Sequence, residues 1–231
     1  MGRRRRLRGE ERRESILRAA ARVFSEHGFS GTTTRALAEA AGVSEALLFQ
    51  HFPSKEALYA AMLATITQER DVSPFRELMA LEPSTATLAR IVHAFYSALI
   101  EKQDERAEDH KATLTRLMFR SLTEDGAFAR SYLRQVPSHL ARKIALCIRA
   151  AIDAGEVVDT PVAPDLAGWL THHLAIMLML NHLATPPSLD YGVPRAGLVR
   201  QAVLFALRGV GIKEKVIRRH YHPEEWVKPG R

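Results

Sequence analysis

The chain has 231 residues, of which 46% are hydrophobic and 26% are charged, and its formal net charge is +7 at pH 7. This composition is typical of a globular protein with a buried core, and it excludes disordered and collagen-like classes. The length is compatible with one or two domains. Aromatic residues make up only 7% of the chain, and Ala, Leu, Arg and Glu are abundant, which favours helices over strands.

Positive charge is concentrated at the two ends of the sequence. Residues 1–60 contain 11 basic and 7 acidic side chains, residues 61–212 contain 16 of each, and residues 213–231 contain 6 and 3. The densest basic cluster is formed by Arg3, Arg4, Arg5, Arg6 and Arg8. Such a segment suits a polyanion, either nucleic acid or an anionic membrane surface, and a solubilising tail is the structural alternative.

Cysteine content and hydropathy predict a cytoplasmic protein with no membrane partner. The single cysteine, Cys147, cannot form an internal disulfide, as expected in a reducing compartment. Residues 9–22 are charged rather than apolar, which argues against a signal peptide after the N-terminal arginines. Residues 166–189 contain no Asp, Glu, Lys or Arg, but their histidines and prolines favour a helix buried on several sides over a membrane span.

Nine helices are predicted in chain order. The first covers about residues 10–27 and stops at Gly28. Two short helices follow, capped by a threonine of residues 32–34 and by Ser44, and then a longer fourth helix capped by Ser54. Five longer helices follow at about residues 85–102, 107–122, 128–154, 165–184 and 194–209. Pro137 lies inside the third of these and should kink or split it.

Residues 34–51 have the spacing of a helix-turn-helix. Ala38 is small where two helices must cross closely, and Gly42, four residues later, can supply the positive φ of a tight turn. The shared core would be filled by Leu37, Val43 and Leu48. This arrangement leaves the second helix exposed to enter the major groove of DNA, although an ordinary helical hairpin is the alternative.

Further residues extend the motif on both sides: Phe29, the threonines after it, residues 41–44 and the run 48–58. Together they resemble the N-terminal domain of the TetR family of bacterial transcriptional regulators over about residues 12–60. The resemblance implies an all-α homodimer with an N-terminal three-helix DNA-binding domain and a C-terminal helical domain for ligand binding and dimerisation. We therefore predict a basic arm at 1–9, the DNA-binding domain at 10–60, the ligand-binding and dimerisation domain at 61–212 and a basic tail at 213–231.

The resemblance and the chemistry of the side chains together predict the contacts with DNA. Helix N-termini attract phosphate, and Lys55 beside the Ser54 cap is the foremost predicted phosphate contact. Relatives often have lysine at the position of Glu45 and glycine at that of Ala46, and this glutamate can instead accept from a cytosine amino group. Structural caps and core packing are the alternatives for several of these side chains. The predicted set is Thr32, Thr33, Arg35, Ser44, Glu45, Ala46, Phe49, Gln50, His51 and Lys55, with Arg3, Arg4, Arg5 and Arg6 in the minor groove.

The second domain is predicted to hold a small hydrophobic effector and the dimer contact. Large flexible apolar side chains suit an adaptable pocket, although plain core packing is the alternative. The predicted pocket residues lie on helices that, by the resemblance to the TetR family, surround the ligand cavity: Phe95, Met118, Phe119, Trp169, His173 and Met177. Helices near 165–184 and 194–209 are apolar on more than one face, so a surface between subunits is expected. The predicted dimer residues are Ile176, Leu180, Leu198, Ala202 and Phe205.

These features predict a ligand-responsive transcriptional regulator, more specifically a repressor, that binds a palindromic operator as a homodimer and is released by its effector. We expect no cofactor and no metal site, because no metal-ligand spacing is present. The absence of a nucleophile elbow, a phosphate loop or paired carboxylates argues against an enzyme. The alternative is a protein that binds nucleic acid non-specifically, or an anionic membrane, through its arginine-rich arm.

Overall fold

The computed structural model describes residues 2–68, 73–101, 105–124, 126–158, 162–182 and 186–226. Within these ranges the backbone is helical throughout its regular parts, apart from one antiparallel bridge between Val157 and Ile212. This confirms the predicted all-α fold class. The helices of the described ranges are α1 (Gly2–Gly31), α2 (Thr34–Ala41), α3 (Glu45–His51), α4 (Lys55–Gln68), α5 (Ser73–Ala80), α6 (Thr85–Ile100), α7 (Glu105–Thr123), α8 (Ala127–Asp153), α9 (Pro164–Asn181), α10 (Arg195–Gly209), α11 (Glu214–His220) and α12 (Pro223–Trp226).

Helix α1 begins at Gly2, eight residues before the predicted start at Glu10. Residues 3–8 are arginine and leucine, which favour helix, and they contain no glycine or proline that would end it. The side chains of Arg3, Arg4, Arg5 and Arg6 lie outside the described part of the structure. Because a helix is about 10 Å wide and the minor groove about 6 Å, the predicted minor-groove contacts would require this segment to unwind.

Gly28 interrupts the regular geometry of α1, with φ 71° and ψ 175°. The carbonyl groups freed by this interruption accept hydrogen bonds from side chains. Thr32 Oγ1 donates to Gly28 O at 2.6 Å, and Arg120 Nη2 donates to His27 O at 3.0 Å. Arg120 is in turn held by Glu124, with Nε and Oε1 2.9 Å apart. The predicted stop at Gly28 is therefore a kink, after which one further helical turn precedes α2.

The chain divides into two compact units that do not follow the predicted boundary at residue 60. The first unit contains residues 1–71 and 105–135, and the second contains residues 72–104 and 136–231. Residues 105–135 belong to the first unit, and four of their side chains lie in the same core as those of α1: Leu114, Leu117, Phe128 and Tyr132. Apolar spacing within α7 shows that it needs a partner, but it does not show which helix the partner is.

The core of the first unit joins the predicted DNA-binding helices to α7 and the start of α8. The predicted inward residues Leu37, Leu48, Leu58 and Met62 are buried, and Val43 is half-buried. Phe24 at the centre is fully buried and meets the ring of Tyr59 edge-on, with centroids 4.8 Å apart. The other buried members of this core are Ile16, Leu17, Ala20, Val23, Ala38, Phe52, Leu114, Leu117, Phe128 and Tyr132.

Helix α8 continues through Pro137 as one element. The predicted split does not occur, because apolar side chains are buried on both sides of the proline. Tyr132 lies before it in the core of the first unit, and Ile144 lies after it in the core of the second. Burial of such side chains contributes about 1.5–3 kcal/mol each, which offsets the hydrogen bond that proline removes.

The second unit surrounds α6 with α5, α9, α10 and α11. Tyr96 of α6 is fully buried, and its hydroxyl donates to Thr171 O of α9 at 2.8 Å. The predicted basic tail is part of this unit as far as it is described, because Val216, Ile217 and Tyr221 are buried in its core. His93 Nδ1 lies 3.0 Å from the Tyr221 hydroxyl and also faces Trp226 of α12.

Candidate nucleic-acid interface

The turn between α2 and α3 has the geometry predicted from its glycine. Gly42 has φ 65° and ψ 36°, the left-handed conformation that costs glycine little. Its N–H donates to Glu39 O at 3.1 Å, and the N–H of Val43 donates to Ala38 O at 3.0 Å. These two bonds satisfy the last carbonyls of α2 and direct the chain into α3 within three residues.

Both helices of the pair begin with a side-chain cap, as the sequence predicted. Thr33 Oγ1 accepts from the N–H of Ala36 at 3.1 Å, and Ser44 Oγ accepts from the N–H of Leu47 at 3.2 Å. Thr32 has a different role, because it is 2% exposed and its hydroxyl is bonded to Gly28. Of the two threonines proposed for the cap of α2, Thr33 is the one that provides it.

Helix α3 has one buried side and one exposed side. Leu48 is 2% exposed and lies in the core. Glu45, Ala46, Phe49 and Gln50 are exposed and form two adjacent columns, each with residues four apart. Phe49 is 44% exposed, so its ring does not pack in the core, which had been one expectation for this residue. The exposed side of α3 therefore offers an acid, an amide and two apolar groups.

The start of α2 contacts the start of α3 through a pair of side chains. Thr34 Oγ1 donates to Glu45 Oε2 at 2.7 Å. Beside them, Arg35 Nε lies 2.9 Å from Glu39 Oε1, and both of these side chains are exposed. The hydrogen bond and charge of Glu39, together with the charge of Glu45, raise the pKa of Arg35. The guanidinium is thus partly neutralised by carboxylates of its own surface.

Lys55 lies at the start of α4 and connects it to the segment between α1 and α2. Its Nζ donates to Phe29 O and to Thr32 O, both at 3.0 Å, and lies 4.3 Å from the centroid of the Phe29 ring. An ammonium group has three donors, so the predicted phosphate contact stays a prediction alongside this structural role. Ser54 caps α4, with its Oγ 3.1 Å from the N–H of Ala57. His51 is half-buried, with its ring centroid 6.4 Å from that of Phe52.

The predicted pocket residues lie in both units. Met118 and Phe119 belong to the first, where Met118 packs against the core and Phe119 is exposed. In the second unit Phe95 is buried and Trp169 is half-buried. His173 was expected to be buried, but it is exposed, and its neighbour His172 is the buried one, stacked on Phe95 with ring centroids 5.4 Å apart.

The exposed apolar side chains of α9 differ from those predicted for the dimer interface. Leu198 and Ala202 are buried in the core of their own unit, and Ile176 and Leu180 are half-buried against it. Phe205 is exposed as predicted, at 68%. The exposed stripe of α9 consists of Leu166, Leu170 and Met177. The spacing of four and then seven residues was the available signal for this stripe.

Residues 16–62 match the sequence pattern described as bacterial regulatory proteins, tetR family. This N-terminal segment is a helix-turn-helix domain of the TetR family. Residues of this domain are 51% identical over 55 positions to the HTH-type transcriptional regulator RutR of Escherichia coli (strain K12), covering 24% of the chain and 26% of RutR. The chain thus spans about a quarter of the length of this curated relative.

Two comparisons extend beyond the helix-turn-helix. YhgD of Bacillus subtilis (strain 168), an uncharacterized HTH-type transcriptional regulator, is 25% identical over 182 residues, covering 78% of the chain and 88% of YhgD. The crystal structure of NalD, the secondary repressor of the MexAB-OprM multidrug efflux pump in Pseudomonas aeruginosa, superposes with a TM-score of 0.59 at 22% identity. That superposition covers 89% of this chain and 98% of NalD, and it supports the TetR fold of both units.

Neither a membrane-spanning helix nor a metal site is present among the described residues. No helix there is long and apolar enough to cross a membrane. No group of three or more His, Cys, Asp or Glu side chains in the same ranges is placed to hold a metal ion.

Proposed function

We propose that this TetR-family protein is a transcriptional repressor that binds a palindromic operator as a homodimer and is released by a small hydrophobic effector. The observation that carries this proposal is the exposed side of α3. A helix held by a capped N-terminus, a left-handed Gly42 turn and a buried Leu48 presents its remaining side chains outward. A helix of this kind fits the major groove, where base edges differ in their donors and acceptors.

Phosphate contacts are supplied by groups that flank α3. Those N–H groups at the starts of α2 and α4 that are not bonded to a side chain can bind phosphate, because the helix dipole is positive there. Lys55 has one donor left for the phosphate at α4, and Arg35 retains exposed N–H groups beside its pairing with Glu39. We propose that these groups position α3, since phosphate contacts fix orientation and base contacts give specificity.

The homodimer is supported by the exposed apolar side chains of α9 and α10. Leu166, Leu170 and Met177 lie along one side of α9, and Phe205 is exposed on α10, which packs against α9. Soluble monomers seldom expose such groups together on neighbouring helices. A two-fold dimer presents two copies of α3, and its operator must therefore contain two related half-sites.

Effector binding is proposed for the second unit, around the aromatic group at the middle of α9. His172 stacks on Phe95, and Trp169 meets His172 edge-on with centroids 5.7 Å apart. Aromatic side chains that include a polar ring nitrogen suit a hydrophobic molecule that carries one polar group. The effector must prefer the conformation that does not bind DNA, and a preference of about 1–3 kcal/mol would change operator affinity roughly 5- to 150-fold.

Selection of duplexes from a random pool by the full-length chain tests the DNA-binding function. We expect enrichment of one palindromic sequence whose half-sites lie about one helical turn, or a multiple of it, apart. Deletion of residues 2–8 should weaken binding and retain the preference. Recovery of random sequence by the full chain, with loss of nearly all binding after the deletion, would instead support the non-specific binder.

Sedimentation of matched variants tests the dimer. Met177→Glu and Phe205→Glu place a charge on the exposed apolar groups of α9 and α10, whereas Leu122→Glu makes the same kind of change at an exposed leucine of α7. We expect the first two variants to become monomeric and to lose the palindromic preference, and the α7 variant to remain a dimer. A wild-type chain that sediments as a monomer would overturn this part of the proposal.

A further inference from the structure

We infer that Glu45 selects a cytosine in each half-site of the operator. The inference rests on the proposed DNA-binding function and names the base that one residue of α3 recognises. It depends on the contact between the starts of α2 and α3, which holds one oxygen of the Glu45 carboxylate and leaves the other available to a base.

The contact is formed by two helix starts that lie side by side. Thr34 is the first residue of α2, Glu45 is the first residue of α3, and Thr34 Oγ1 donates to Glu45 Oε2 at 2.7 Å. The glutamate remains exposed, so the bond restricts the side chain without burying it. A glutamate on a free surface would sample many rotamers, and restricting it before binding lowers the entropy lost when it contacts a base.

A carboxylate can only accept hydrogen bonds, and this limits the bases it can contact in the major groove. Paired cytosine presents the one hydrogen of its 4-amino group that is not donated to guanine, whereas guanine and thymine present the acceptors O6 and O4, which the carboxylate repels. Adenine presents an amino group next to the acceptor N7. Because one oxygen is held by Thr34, the best match is a single donor without an acceptor beside it on the same base, and cytosine provides it.

Charges around Glu45 leave this preference in place. The other exposed residues of α3, Ala46, Phe49 and Gln50, carry no charge. The nearby Arg35 is bonded to Glu39 at 2.9 Å rather than to Glu45. The carboxylate therefore repels phosphate when α3 lies on an unrelated sequence, and this repulsion is offset only where a cytosine amino group is present. Glu45 should raise specificity more than it raises affinity.

Random-pool selection with three chains tests the inference. The wild type should enrich a palindrome with a constant cytosine in each half-site. Glu45→Gln retains the size of the side chain and adds a donor, so the constant position should change to adenine while the other positions stay the same. Thr34→Val removes the hydroxyl at constant shape and should weaken the cytosine preference. An unchanged cytosine in the Glu45→Gln motif would overturn the inference.

A duplex that lacks only the 4-amino group at this position separates base recognition from a structural role. The wild type should bind it roughly tenfold more weakly than the cytosine duplex. Glu45→Ala, checked by its melting temperature, should bind both duplexes equally. Equal weakening in both proteins, or a fall in affinity for every duplex with no change of motif, would mean that Glu45 serves only to join α2 to α3. A wild type that enriches no sequence would overturn the proposed function itself.

Discussion

The helix-turn-helix and the second unit differ in how far apart in the sequence their hydrogen-bonded residues lie. The ends of α2 and α3 are fixed by local bonds: Thr33 and Ser44 each accept from an N–H three residues ahead, and the N–H groups of Gly42 and Val43 donate to carbonyls three and five residues earlier. In the second unit, Tyr96 bonds to Thr171 and His93 to Tyr221. Single substitutions on the DNA-binding surface can therefore alter which bases it recognises. The arrangement of side chains in the effector region depends instead on residues far apart in sequence.

The largest expected effect is the difference in stability loss between alanine variants of two phenylalanines in the first unit. Phe24→Ala empties the centre of the core and should lower the free energy of unfolding by about 3–5 kcal/mol. Phe49→Ala removes an exposed ring from α3 and should change stability by less than about 0.5 kcal/mol, while lowering operator affinity. Urea denaturation and DNA titration of both variants provide the measurement. Equal stability losses would show that Phe49 is not on a free surface.

Two glycines with positive φ should differ in the cost of an added methyl group. In Gly28→Ala the new Cβ would overlap Glu124 Oε1, so the Arg120–Glu124 pair must move as well. We expect a loss of about 2–3 kcal/mol from strain and displacement. In Gly42→Ala no atom lies within 4 Å of the new Cβ, and the cost is the conformational one of about 1–2 kcal/mol. Denaturation of both variants measures the difference, and a reversed order would contradict these contacts.

Lys55→Ala should separate the two roles of this lysine. Loss of the bonds to Phe29 O and Thr32 O should cost about 1 kcal/mol of stability. If the third donor binds phosphate, affinity should fall for all sequences, and the salt slope of binding should become shallower by about one. Titrations at several salt concentrations measure this slope. An unchanged slope would remove Lys55 from the phosphate contacts and leave it the structural role alone.

The smallest expected effect is a pH dependence of stability that comes from His93, where the C-terminal segment contacts α6. Burial lowers the pKa of His93, which lies against Tyr221, Ser97 and Trp226. Burial also raises the pKa of Tyr221 to about 12, so that group stays neutral. Because the unfolded chain takes up the proton more readily, stability should fall as the pH drops below the unfolded value of about 6.5.

The matched variants for this pH dependence are His93→Gln and His139→Gln. His93→Gln should make the stability profile flatter between about pH 6.5 and 5, and the exposed His139→Gln should leave its slope unchanged. Thermal melts across this pH range give both profiles. An identical slope in the wild type and in His93→Gln would show that His93 does not contribute to it.

The sequence correctly predicted the local parts of the interface. It did not predict features that depend on packing between residues distant in the chain. The Thr33 and Ser44 caps and the Gly42 turn follow from residues within a few positions, and they are confirmed. The expected burial of His173 is wrong, because adjacent residues of a helix point about 100° apart and its neighbour His172 is the one that faces Phe95. The placement of α7 in the first unit also depends on a core that no local pattern reveals.

The most direct test of base recognition by α3 replaces the exposed side chains of this helix. A variant with Glu45, Phe49 and Gln50 all replaced by alanine keeps the buried Leu48, both caps and Gly42. Its melting temperature should stay close to that of the wild type, while its preference for the selected operator over unrelated DNA, at least about 1,000-fold in specific binders, should fall to nearly one. A folded variant that retains the wild-type preference would show that α3 does not contact the bases.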